Sequence, residues 1–135
     1  MCTWRRVAVA ISLLIAASTA TACARDAEPQ RIEIRIHYSG FEPAEIRVPH
    51  GVPVTFVLIN EDPIDHEFLI GDEAFHARHR DGTELHHGAR PEEVSIAALG
   101  KAESTLVFDE PTTLRYICHL PRHEAYGMVG TLRVT

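Results

Sequence analysis

Charged and apolar residues alternate without a break over Arg31-Ile32-Glu33-Ile34-Arg35-Ile36-His37, the pattern of a half-buried strand with Ile32, Ile34 and Ile36 turned inward. The same period of two, over short β-branched stretches, predicts further strands at Glu45 to Val48, Val52 to Asn60, Glu67 to Ile70 and Glu93 to Ala97. Three more are predicted at Ser104 to Phe108, Leu114 to Cys118 and Val129 to Val134. Turn-forming pairs separate them, among them Ser39-Gly40, Asp62-Pro63, Leu99-Gly100 and Glu110-Pro111. Seven or eight strands at this spacing, with no sustained helical period, predict an all-β antiparallel sandwich. The stretch 71–91 has no period of two and is long for a connector, so it is expected to be a functional loop or to hold a short helix at Glu73 to Arg80.

The first residues have a different pattern. Arg5 and Arg6 precede an apolar run from Val7 to Ala17 and the small residues Ser18 to Ala22, the three parts of an export signal. At 1.5 Å per residue the run covers only about half of a ~30 Å hydrocarbon core. A cleaved signal over 1–22 is expected, then a tether over 23–30 and one domain over 31–135. Ala20-Thr21-Ala22-Cys23 reads both as an Ala-x-Ala cleavage site and as a bacterial lipobox whose Cys23 is lipidated. The expected location is the outer face of the cell membrane, held by the lipid on Cys23, and otherwise the periplasm or the medium.

The chain has 135 residues, 45% apolar and 24% charged, which fits a single globular core and excludes a disordered or coiled-coil chain. Its net charge is -6, and losing Arg5 and Arg6 makes it more acidic, so nucleic acid is a poor partner. Nine histidines, all after residue 36, point instead to metal chemistry. With Cys2 lost and Cys23 at the terminus, Cys118 has no disulfide partner, and an unpaired thiol outside the cytoplasm is a liability unless it is buried or holds a metal.

Cys118, His123 and Met128 follow at Cys-x4-His-x4-Met spacing between two predicted strands, and His66 follows a strand and the Asn-containing turn Asn60 to Asp65. Two imidazoles, a thiolate and a weak thioether are the ligand field of a blue-copper electron-transfer site. The chain resembles a cupredoxin, a small type 1 copper protein of the plastocyanin, azurin and pseudoazurin kind, most strongly at Cys118, His123, Gly127, Met128 and Gly130. The resemblance implies a Greek-key sandwich, one copper with His66, Cys118 and His123 as equatorial ligands and Met128 as the axial one, and a Glu67 N–H hydrogen bond to the Cys118 sulfur. It implies a one-electron carrier rather than an enzyme, with electrons leaving through His123. The partners would be redox proteins at the membrane surface, such as a cytochrome, oxidase or reductase, and the chain a monomer. Arg122 departs from the Gly that related loops often place before the His, setting a charge beside that exit.

Other chemistries fit less well. Structural zinc prefers paired cysteines, and Cys118 lacks the helix N-terminus or electropositive pocket of a thiol nucleophile. Cys118-His119 is similar to the last motif of multicopper oxidases, yet Ile117 stands where that motif has its first His and the chain contains no His-x-His pair. His119 is therefore expected to be a strand-end or surface residue. A copper carrier, storage or resistance protein is the alternative role, favoured by His76, His79, His86 and His87, which form a candidate second metal cluster. His37 and His50 have no paired context and are expected to be structural or surface residues.

Overall fold

The computed structural model describes residues 29–83 and 90–135. The expected signal over 1–22, Cys23 with most of the tether, and His86 and His87 lie outside them. Among the described residues nine strands and one α-helix follow in the order β1 (Gln30–His37), β2 (Gly40–Glu42), β3 (Glu45–Val48), β4 (Val54–Asn60), β5 (His66–Gly71), α1 (Glu73–Arg80), β6 (Glu93–Ile96), β7 (Lys101–Leu106), β8 (Thr112–Ile117) and β9 (Val129–Val134), with a short 3-10 turn at Glu124–Tyr126 before β9. They form two sheets, ordered β2-β1-β4-β7 and β3-β9-β8-β5-β6. Among the described residues no helix is long and apolar enough to cross a membrane.

The sandwich is as expected, with two differences. β1 pairs with β4 and β3 with β9 in parallel, so both sheets are mixed rather than purely antiparallel. β2 is an additional three-residue strand, too short for a period of two to show. The inward faces follow the alternation: Ile34 and Ile36 are buried and Ile32 half-buried, against Val54, Phe56 and Leu58 of β4. Phe41, Phe56, Phe68 and Tyr116 form a chain of ring contacts with centroids 5.2 to 5.7 Å apart, in the tilted and edge-on arrangements that aromatic quadrupoles favour.

One close approach sets the register under the ligand loop. Tyr116 of β8 faces Gly130 of β9, and a Cβ on Gly130 would stand 2.0 Å from the Tyr116 ring. Only glycine leaves room for that ring, whose hydroxyl donates a 2.7 Å hydrogen bond to the Pro43 carbonyl.

Helix α1 forms as expected over Glu73–Arg80. The Asp72 carboxylate caps it by accepting from Phe75 N at 2.7 Å, and Arg78, His79 and Arg80 occupy the last turn, where positive charge suits the helix dipole. Its buried face is Phe75, His76 and His79, which explains why no apolar stripe marks it in the sequence.

Candidate metal centre

In antiparallel neighbours the start of one strand lies beside the end of the other. β5 and β8 are such a pair, so His66, the first residue of β5, and Cys118, directly after β8, meet at one end of the sheet. The chain then turns through residues 119–128 and returns as β9. The His123 carbonyl accepts from Met128 N at 3.0 Å, and the Met128 carbonyl accepts from Cys118 N at 3.3 Å, closing this loop on itself.

His66 Nδ1 lies 3.2 Å from His123 Nδ1, and the Cys118 sulfur 3.2 Å from the same atom. One donor atom from each of His66, Cys118 and His123 falls within 4.8 Å of the others, and they are the one such group among the described residues. Cys118, Met128 and His66 are buried, while His123 is half-buried and opens the group to solvent. Glu67 N donates to the Cys118 sulfur at 3.4 Å, the hydrogen bond expected from the sequence.

Burial pushes the Cys118 thiol up, against the opposing N–H groups of Glu67 and Leu120. Burial and the adjacent His66 push His123 down, keeping its imidazole neutral and available as a donor. Imidazole nitrogens around a buried thiol suit a soft or borderline cation that replaces the thiol proton.

Asp62 holds the group from outside, a role the sequence reading missed by taking Asp62-Pro63 as a plain turn. His66 Nε2 donates to Asp62 Oδ2 at 2.9 Å, which places the imidazole proton on Nε2 and leaves Nδ1 as the lone pair facing Cys118 and His123. The carboxylate also accepts from Tyr38 N and Ser39 N, each at 2.8 Å. Burial works to raise its pKa, and the Ser39 and Tyr38 N–H groups together with His66 overcome this, holding the carboxyl below its ordinary value. Asn60 shapes the turn: Nδ2 donates to the carbonyls of Ile64 and Ala97, and Oδ1 accepts from Asp62 N. The spacing Asp62-x3-His66 is the available sequence signal for this pair.

A second histidine group stands beside the first. His76 Nδ1 lies 2.9 Å from His119 Nε2, and the His79 and His119 rings stack 5.5 Å apart at 14°. His119 is thus not a surface residue: its side chain is 8% exposed, because α1 packs against the ligand loop. Burial, with His76 beside it, lowers the His119 pKa to about 4. Arg80 of α1 holds Glu124 of the ligand loop through Nε and Nη2, the closest contact 2.7 Å, fixing helix to loop. His76 and His79 therefore gather with His119 instead of standing on an open polar loop. His37 and His50 are exposed, as expected; His50 Nδ1 contacts the Thr135 carbonyl at 2.9 Å.

Known proteins of the same kind share both sequence and architecture. The chain is 31% identical over 135 aligned positions to the copper-resistant cuproprotein CopI of Pseudomonas aeruginosa, covering 76% of this chain and 75% of that protein. It is 35% identical over 98 positions to CopI of Rubrivivax gelatinosus, covering 70% of this chain and 59% of that one. The fold matches auracyanin B with a TM-score of 0.66 at 22% identity, covering 78% of this chain and 88% of auracyanin B. Auracyanin A, a blue copper protein of Chloroflexus aurantiacus, matches with a TM-score of 0.64 at 24% identity, covering 80% of this chain and all of that one. The family model of the cupredoxin-like domain matches residues 6–128, nearly the whole chain, and the chain belongs to that family.

Proposed function

We propose that this protein is an exported one-electron carrier that holds a single copper ion between His66, Cys118 and His123, with Met128 as the weak fourth ligand. The observation that carries this reading is the convergence of two imidazole Nδ1 atoms on one buried thiol that has no disulfide partner among the described residues. A bound copper supplies reversible exchange of one electron between Cu(II) and Cu(I). The chain's residues tune that exchange. Asp62 fixes the His66 tautomer, the Glu67 N–H draws charge from the Cys118 sulfur, and the buried Met128 keeps water from the inner side. His123 is the half-buried way out, and exposed Tyr126, Leu99 and Ile64 stand on neighbouring loops as a contact face for a redox partner. The signal pattern of residues 1–22 supports export, and Cys23 supports a lipid anchor. Binding and passing on an electron requires no substrate transformation by the protein itself.

The names of the CopI relatives favour a second reading, copper handling in resistance, at the same site. One preparation separates the two: protein loaded with one equivalent of Cu(II), mixed in turn with a redox partner protein and with a copper chelator. Fast electron exchange with copper retained supports the carrier; slow exchange with rapid copper loss supports handling. Cys118→Ser removes the thiolate and should abolish the intense visible charge-transfer band while the sandwich stays folded. Persistence of that band would overturn the ligand assignment.

A further inference from the structure

We propose that His76 and His119 are the donor pair of a second metal site, selective for a divalent ion that prefers imidazole, one residue along the chain from the Cys118 thiol. The outer contacts of the two rings bear on where their protons sit. His76 Nε2 lies 3.2 Å from the Arg115 carbonyl, which only accepts, so the proton sits on Nε2 and Nδ1 is a lone pair. In the His119 tautomer with its proton on Nδ1, toward the Glu124 carboxylate 3.5 Å away, Nε2 is a lone pair too. In that tautomer the two lone pairs lie 2.9 Å apart, whereas the other tautomer joins the rings by a His119–His76 hydrogen bond. Two neutral imidazoles so arranged repel unless a cation joins them.

A carbonyl or carboxylate behind each ring is the usual outer support of a metal-bound histidine. With metal–nitrogen bonds near 2.0 to 2.1 Å, donors 2.9 Å apart subtend an angle of roughly 90°, the cis angle of a tetragonal Cu(II) or Ni(II) site. His79, stacked on His119, closes one side, and its Nε2 lies 3.5 Å from Glu93 Oε1. Arg80 and Arg115 oppose a cation here, and Glu124 and Glu73 favour it; Arg80 is paired with both carboxylates. Copper or nickel is the chemical class this pair fits, with water completing the coordination.

The test uses the full chain carrying one equivalent of Cu(II), to which a second is added and followed by electron paramagnetic resonance. The second equivalent should give a wide copper hyperfine pattern split by two nitrogens. In His76→Gln its affinity should fall at least about a hundredfold while the visible band of the first equivalent stays. Equal affinity of the native protein and His76→Gln for the second equivalent would overturn the site. If His76→Gln does not fold, nitrogen NMR of the metal-free native protein decides: His76 Nδ1 and His119 Nε2 should both lack a proton and shift on adding Zn(II). A proton on His119 Nε2 that survives zinc overturns the proposal. A second signal that persists without any visible band supports this site and counts only against the ligands proposed for the first.

Discussion

Replacing Gly130 by alanine tests whether the β8–β9 register depends on the space that glycine leaves. The added Cβ would stand 2.0 Å from two carbons of the Tyr116 ring and 2.4 Å from its hydroxyl oxygen. Normal carbon contacts are about 3.5 to 4.0 Å, so the ring must retreat by roughly 1.5 Å. It has nowhere to go: Tyr116 is fully buried, Phe41 and Phe68 lie 5.3 and 5.2 Å away between centroids, and the hydroxyl is tied to the Pro43 carbonyl. Overpacking costs about 1–3 kcal/mol. Breaking the hydroxyl's bond and leaving the buried Tyr116 hydroxyl unpaired adds about 1–3 kcal/mol, so a loss of about 4 kcal/mol is expected. A domain with 5–15 kcal/mol in all would be left marginal. The assay is urea unfolding of the metal-free protein, comparing midpoints at constant slope. Repeating the change in a Tyr116→Val background removes the ring, and Gly130→Ala should then stabilise by about 0.5 kcal/mol, since alanine loses less backbone entropy than glycine. The same sign in both backgrounds would refute the close-approach argument.

Asp62→Asn removes the acceptor behind His66 and should weaken copper binding about 10- to 100-fold in competition with a chelator. Because the native Asp62 carboxyl titrates below its ordinary value, the stability it lends is present above about pH 4 and lost as pH falls through the native value. Acid unfolding of Asp62→Asn should lack that part of the pH dependence, and an unchanged curve would remove Asp62 from the account. Arg122 adopts φ 73°, a left-handed conformation costly for a residue with a Cβ. Arg122→Gly should raise stability by about 0.5–1 kcal/mol in the same urea assay, the relief of strain exceeding glycine's entropy cost; a destabilised variant would show that the Arg122 side chain holds the loop.

The sequence legibly carried whatever was periodic or concentrated. β9 was found at its observed bounds, α1 at Glu73–Arg80, and His66, Cys118 and His123 stood out because two strand ends framed them. Strand β7 begins three residues before the predicted start, since Lys101 to Glu103 carries no β-branched residue and gains its strand character from pairing with β4. Parallel pairing of β1 with β4 leaves no trace in a single strand's alternation. Asp62 and His119 were misjudged for a shared reason: a lone polar side chain does not announce which ring it will meet. The φ of Arg122 accounts for the glycine that related loops favour there.

The final strand has a consequence for how the protein comes into being. β3 pairs with β9, Glu45 facing Thr131, and β9 also anchors the loop bearing Cys118, His123 and Met128. A chain synthesised from its N-terminus holds β3 without a neighbour on that side until β9 arrives. Such distant strand pairing makes folding slow, on the order of milliseconds to seconds. Three of the four proposed donors and the strand that closes the sheet therefore arrive together, so a nascent chain cannot trap copper in its finished geometry before the domain itself is complete.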